Sequence, residues 1–214
     1  MSEKIKAFVV NRNLLSTLKS TVEFLQKEER VEIVIFDQCS TYPPLLKWYK
    51  TCGLKILYNE NNDGPHSIWR FKEAFNNEYF ILADSDCTYE GIPSDWLNRM
   101  SDVLVNSSAF KVGFSLRIDD LPKHSLSKHV KNVETQYWQT QNSYGYVAHI
   151  DTTFALYRPH SGFTYDAIRL APPYTIKHVM WYLRKDRLSK EWQYYINNAS
   201  HVSTWGAHFK TNKI

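Results

Sequence analysis

Four short apolar runs, at residues 5–10, 31–36, 54–58 and 79–83, alternate with stretches whose apolar residues recur at helical spacing. Leu14, Leu18, Val22 and Leu25 fall on one helix face after the first run, and Ile68, Phe71 and Phe75 on another before the fourth. Between the second and third runs, Pro43 and Pro44 suit the first turn of a shorter helix and Gly53 suits its end. Strands alternating with helices build a mostly parallel sheet of βαβ units. The expected class is therefore α/β, Rossmann-like, with helices flanking the sheet.

The remainder of the chain reads differently. A helix around Trp96, Met100 and Val103 leads to a strand over 111–118 that ends at Asp119 and Asp120. Val130, Val133 and Tyr137 share a further helix face. Residues 146–158 read as a strand with Asp151 in its middle or at its start, and 167–171 as another. Pro172 and Pro173 then precede a helix through His178, Trp181 and Tyr182, and residues 189–198 form the last helix. Strand directions in this half should be mixed. At 214 residues the chain suits one domain, with 1–90 as its first half and 91–214 as its second.

Composition narrows the classes. The net charge of +4 comes from scattered rather than clustered Lys and Arg, so nothing recommends nucleic acid. The apolar run that follows Met1–Lys6 is too short for a signal peptide or an integral membrane segment. Cys39, Cys52 and Cys87 match no metal or redox spacing. A reducing, cytoplasmic setting is expected.

The fourth run ends abruptly in Asp84-Ser85-Asp86. On extended backbone, side chains at i and i+2 share a side, so both carboxylates aim at one point beyond a strand's carboxyl end. Open α/β sheets bind ligands there. Two close carboxylates repel unless a cation lies between them or one takes a proton. A hard ion, Mn²⁺ or Mg²⁺, shared with phosphate oxygens satisfies both. The other loops at this edge carry Asn11 and Arg12, then Asp37 and Ser40, then Gly64. Asp37 can accept from a uracil ring N–H or a ribose hydroxyl. Arg12 or Arg70 offers a planar fork to a diphosphate, and Gly64 lets a phosphate approach the backbone. A nucleotide site is the expectation. Asp151 is the candidate base for a hydroxyl's proton, followed by Asp119 and Asp120. Trp69, Trp138, Trp181 and Trp205 are candidates to stack on a sugar face, although core filling is the safer default for most aromatics.

This ordered set of motifs resembles the GT-A fold of nucleotide-sugar glycosyltransferases, particularly the inverting group called family 2. The resemblance implies a mixed GT-A sheet and metal-dependent transfer from a nucleotide-diphosphate sugar, UDP by family frequency, to a hydroxyl of a glycan or glycoconjugate. It implies that Asp37 touches the base, that Asp84 and Asp86 hold ribose and metal, and that a third metal ligand comes from the later half, for which His178 and His201 are available. The stretch from Asp151 to Tyr182 is similar to small bacterial and viral members tied to surface polysaccharide or capsid glycan assembly. One departure stands out: family 2 enzymes carry a Glu-Asp pair where this chain reads Ile176-Lys177-His178-Val179.

Two rival readings remain. Asp84-Ser85-Asp86-Cys87-Thr88 also fits the D-x-D-x-T motif of haloacid-dehalogenase phosphatases, in which the first Asp is a nucleophile. That motif usually sits on the first strand, whereas three βα units precede it here. The missing Glu-Asp pair alternatively fits a non-catalytic nucleotide-sugar or glycan-binding module, one part of a longer multidomain chain.

Overall fold

A computed structural model describes residues 4–71, 78–123, 125–159 and 162–200. The four apolar runs become strands β1 (Ile5–Asn11), β2 (Val31–Gln38), β3 (Lys55–Asn59) and β4 (Phe80–Asp84). Helices α1 (Ser16–Leu25) and α2 (Pro43–Tyr49) supply the first two crossovers. The four strands lie in the order β3-β2-β1-β4, all parallel. Their register places Asn11 beside Asp37 and Val10 beside Asp84, which brings the polar ends of β1, β2 and β4 to one edge.

The second half adds β5 (Cys87–Thr88), α3 (Trp96–Asn106), β6 (Lys111–Leu116), α4 (Ser125–Glu134), β7 (Tyr146–Val147), β8 (Phe154–Tyr157), β9 (Ile168–His178) and α5 (Lys190–Asn197). The sheet continues β4-β8-β6-β9-β5, with β7 also on β9. Strand β8 runs antiparallel to both β4 and β6, while β6 and β9 are parallel. The fold is thus a mixed α/β sheet with parallel N-terminal βαβ units and flanking helices.

Burial on both faces explains why β1, β2 and β4 read as largely apolar runs, while β3 at the sheet edge is only partly buried. In β1, Ala7 and Val9 join one core with Leu18, Leu25, Leu104 and Phe154. Phe8 and Val10, one residue out of phase, join a second core with Phe36, Phe80, Leu82 and Tyr157. Strands β6 and β8 approach so closely that a Cβ on Gly113 would lie 2.0 Å from the Phe154 carbonyl oxygen, so only glycine fits there.

Three expectations are corrected. Strand β9 runs through Pro172 and Pro173 to His178, where a break and then a helix were expected. Its pairing with β6 jumps from Phe114–Leu170 to Ser115–Thr175, so the prolines sit in a bulge where no ladder N–H is needed. The stretch 146–158 is two short strands, and Asp151 lies in the loop between them. Ahead of β4, Pro65–Arg70 forms a 3-10 helix; residues 72–77, including Phe75, lie outside the described residues.

Helix α5 closes over the first half. Oε1 of Glu191 accepts from the backbone N–H groups of Leu15 (2.6 Å) and Ser16 (2.9 Å) at the start of α1. Those N–H groups have no partner within the helix, and their dipole favours a carboxylate.

Candidate active site

A cavity of about 350 Å³ opens beyond the carboxyl ends of β1 and β4. From the first half it is lined by Asn11, Arg12, Gly64, Asp84, Ser85 and Asp86. Asp151, His149, Arg169, Glu134, His178 and Trp181 face it from the second half.

At the acidic tip, Asp84 ends β4 and Ser85–Asp86 turn into β5. The two carboxylates therefore reach one cavity through a turn rather than through extended backbone. Ser85 fixes that turn. Its N–H donates to Val10 O (3.0 Å) and its hydroxyl to Oδ1 of Asn11 (2.7 Å). Oδ2 of Asp84 accepts from the Thr152 hydroxyl at 2.9 Å. Burial holds the Asp84 carboxyl well above the usual carboxylate range, helped by the charges of Asp86 and then Asp151. Asp86 presents Oδ2 to Nε2 of His178 at 3.4 Å, while its Oδ1 is buried with no hydrogen-bond partner among the described residues.

An orphaned buried carboxylate oxygen beside a second crowded carboxylate fits a divalent cation. Among the described residues, no three His, Cys, Asp or Glu side chains converge as a metal site. The fit is to an ion that takes one or two carboxylates and completes its shell with phosphate and water oxygens, as Mg²⁺ commonly does. His201 lies outside the described residues.

Asp151 stands at the cavity's mouth with its side chain 58% exposed. Its Oδ1 lies 2.9 Å from Nε2 of His66, which sequence reading had not singled out. The His66 ring in turn packs on Phe163 at 3.9 Å between centroids. Gly64, at φ +82° and ψ 171°, begins the 3-10 helix that carries His66, and this backbone conformation is essentially reserved for glycine. The Gly64 carbonyl accepts from the N–H (3.1 Å) and hydroxyl (2.7 Å) of Ser67.

The remaining predicted residues are placed as follows. Arg12 lines the cavity, yet its Nη1 donates to the carbonyls of Gln38 (2.6 Å) and Cys39 (3.0 Å). Asp37 is 2% exposed and is not part of the lining. Its Oδ1 accepts from the Tyr49 hydroxyl (2.8 Å) and its Oδ2 from the Ser40 N–H (2.9 Å). Ser40 Oγ accepts from the Asn13 N–H (2.9 Å). Arg70 pairs with Asp63 at 2.8 Å and, like Ser40, is not part of the lining. Asp119 is held by Arg117 (2.9 Å) and Asp120 by Lys177 (2.6 Å), both away from the cavity. Trp181 stacks on His178 at 4.9 Å and lines the cavity; Trp69 and Trp138 do not, and Trp205 is outside the described residues.

The same cavity is also lined by residues that sequence reading missed. Nη1 of Arg169 donates to Oε2 of Glu134 at 2.8 Å, with side chains only 5% and 8% exposed. Nε of Arg169 donates to the His149 carbonyl (2.7 Å), and the guanidinium lies 4.4 Å from the Tyr137 ring centroid. Arg169 lies within the 167–171 run and Glu134 sits beside the Val133 helical position, but no local spacing signals a pair 35 residues apart.

No protein-family model matches the chain, and no curated protein sequence matches it. Among solved structures, 35 chains match. One is a crystal structure of 4-diphosphocytidyl-2C-methyl-D-erythritol synthase, at TM-score 0.39 and 10% identity over 98% of this chain and 86% of that one. A likeness that loose has no bearing on substrate or reaction. No helix among the described residues is long and apolar enough to cross a membrane.

Proposed function

We propose that this chain transfers a glycosyl group from a nucleotide-diphosphate sugar, most simply a UDP-sugar, to a hydroxyl of a glycan or glycoconjugate. The observation that carries this reading is the convergence of Asp84, Asp86 and Asp151 on one cavity at the carboxyl edge of a mixed sheet, with Oδ1 of Asp86 buried and without a hydrogen-bond partner among the described residues. Asp84 and Asp86 would hold Mn²⁺ or Mg²⁺. When bound, such an ion supplies positive charge to the departing diphosphate.

This chain's own residues do the rest. The bond from the sugar's anomeric carbon to the diphosphate oxygen breaks as the acceptor oxygen attacks that carbon. The acceptor's proton passes to the Asp151 carboxylate, whose orientation His66 fixes. Gly64 leaves the backbone open to a phosphate, and the Glu134–Arg169 wall, with Tyr137 beside it, offers polar groups and a ring to a sugar. Asp37 lies too deep to touch a base unless the loop after β2 yields, so we place its contribution in shaping that loop.

Calorimetric titration with a panel of nucleotide sugars, with and without Mn²⁺, followed by turnover assays with chelator, tests the reading. A donor that binds only in the presence of the cation, and turns over only then, supports it. Equal affinity for every donor with and without Mn²⁺ sinks it.

A further inference from the structure

Lys111 is the least expected side chain in the sheet. It begins β6 and is 0% exposed, although lysines almost never disappear from solvent unless a partner compensates the charge. Among the described residues, no carboxylate meets it. Its Nζ donates instead to the Tyr157 hydroxyl (3.0 Å) and to the backbone carbonyl of Asp151 (3.1 Å), with the Tyr157 and Phe163 rings at 4.9 and 5.3 Å. An ammonium group placed so is costly, and a sheet-starting position offers easy escape along the flexible stem. What it touches is informative.

The loop between β7 and β8 brings three consecutive residues to the site. The Asp151 carboxylate meets His66, the Thr152 hydroxyl meets Asp84, and the Thr153 carbonyl accepts from the Asp84 N–H (3.0 Å). Upstream, the Ile150 N–H donates to Tyr165 O (3.2 Å). Between these anchors, the Asp151 carbonyl is tied to the sheet by Lys111.

We propose that Lys111 is a positioning residue that pins the backbone of Asp151, so that its carboxylate stays where His66 and the attacking hydroxyl need it. This rests on reading Asp151 as the base. A carboxylate 58% exposed and held through one oxygen has rotamer freedom; fixing its main chain removes the larger part of the positional error. Displacement of a catalytic group by about 1 Å costs on the order of a hundredfold in rate.

The charged neighbours make the pin responsive to pH. Burial draws the Lys111 ammonium down to about 8, resisted by Asp151. Arg169 on β9 adds to the lowering, while Asp166 before β9 and Asp84 at the end of β4 oppose it. Above that pH the amine loses its charge and holds the carbonyl more weakly, so turnover falls on the alkaline side.

The test compares wild type, Lys111→Met and Lys111→Arg in three measurements: donor affinity with Mn²⁺, turnover against pH, and the His66 ring ¹⁵N signals. Lys111→Met should lower kcat roughly ten- to a hundredfold with donor affinity unchanged, and should move the His66 signals toward those of Asp151→Asn. Lys111→Arg, charged at every pH, should recover turnover and lose the alkaline fall. Wild-type kcat and unmoved His66 signals in Lys111→Met overturn the proposal, as does an arginine that restores neither. If wild type transfers no sugar, the donor reading fails while the His66 signals still decide the role of Lys111. Should Lys111→Met not fold, Tyr157→Phe removes one of the two oxygens on Nζ and keeps the ring. It should move the His66 signals part of the way, and no movement counts against the pin.

Discussion

The Thr152 hydroxyl donates to Oδ2 of Asp84 across 2.9 Å, joining the loop that carries Asp151 to the tip of β4. The bond acts against burial and the neighbouring charges, which push Asp84 toward its protonated form. Thr152→Val keeps the shape and deletes the donor. The loss of one such bond is worth about 0.5–1.5 kcal/mol, so Mn²⁺ affinity at neutral pH should fall by roughly two- to tenfold. Calorimetry of the cation alone checks this; undiminished affinity means the hydroxyl does not support the ionised carboxylate.

Asp84 also ties stability to pH. Its folded-state pKa lies above the unfolded one, so between the two values the folded protein holds the extra proton. The stability this gives is fully present below the unfolded pKa, about 4, and is lost as pH rises through the folded pKa. Cation-free protein should therefore melt at progressively lower temperature as pH rises from about 4. Asp84→Asn should flatten that dependence and raise the melting temperature at neutral pH, while abolishing cation binding. Parallel melting curves for both proteins across pH, in chelator, would remove Asp84 as the source.

Asp151→Asn keeps the hydrogen-bonding shape beside His66 but cannot take a proton. Transfer should drop about 10²–10⁴-fold, the range for a positioned general base, with donor affinity unchanged. His66→Ala leaves the carboxylate in place but unoriented, so its loss should be smaller, about tenfold. Single-turnover kinetics at saturating donor separate the two. Full activity in Asp151→Asn would move the base elsewhere.

Most of the first half was legible because β1, β2 and β4 are largely buried on both faces, which writes them as mostly apolar runs such as residues 33–36. Gly64 and the Asp84–Asp86 pair were legible because their chemistry is local. Strand β9 was not, since two adjacent prolines ordinarily end a strand and nothing nearby announces that a bulge at Phe114–Ser115 accommodates them. His66 and Lys111 were missed for another reason. Their roles come from groups 85 and 40 residues away, brought near by the sheet order rather than by spacing. For Asp37, its place at the end of β2 was readable, but not the contacts its two oxygens make with Tyr49 and Ser40.

The Glu134–Arg169 pair allows stability and recognition to be separated. With both side chains almost wholly buried, removing one partner strands the other charge, and Arg169→Met should cost about 3–5 kcal/mol in urea unfolding. Replacing both, with Arg169→Met and Glu134→Leu, removes the stranded charge and should recover most of that loss, because a buried pair is seldom more stabilising than a well-packed apolar one. Turnover should not follow. The pair lines the same cavity as Asp84 and Asp151, so an apolar wall there should leave donor binding intact and raise the acceptor KM by roughly tenfold or more, the penalty for losing hydrogen bonds to hydroxyls. A double variant that regains stability and acceptor KM together would make the pair part of the scaffold alone.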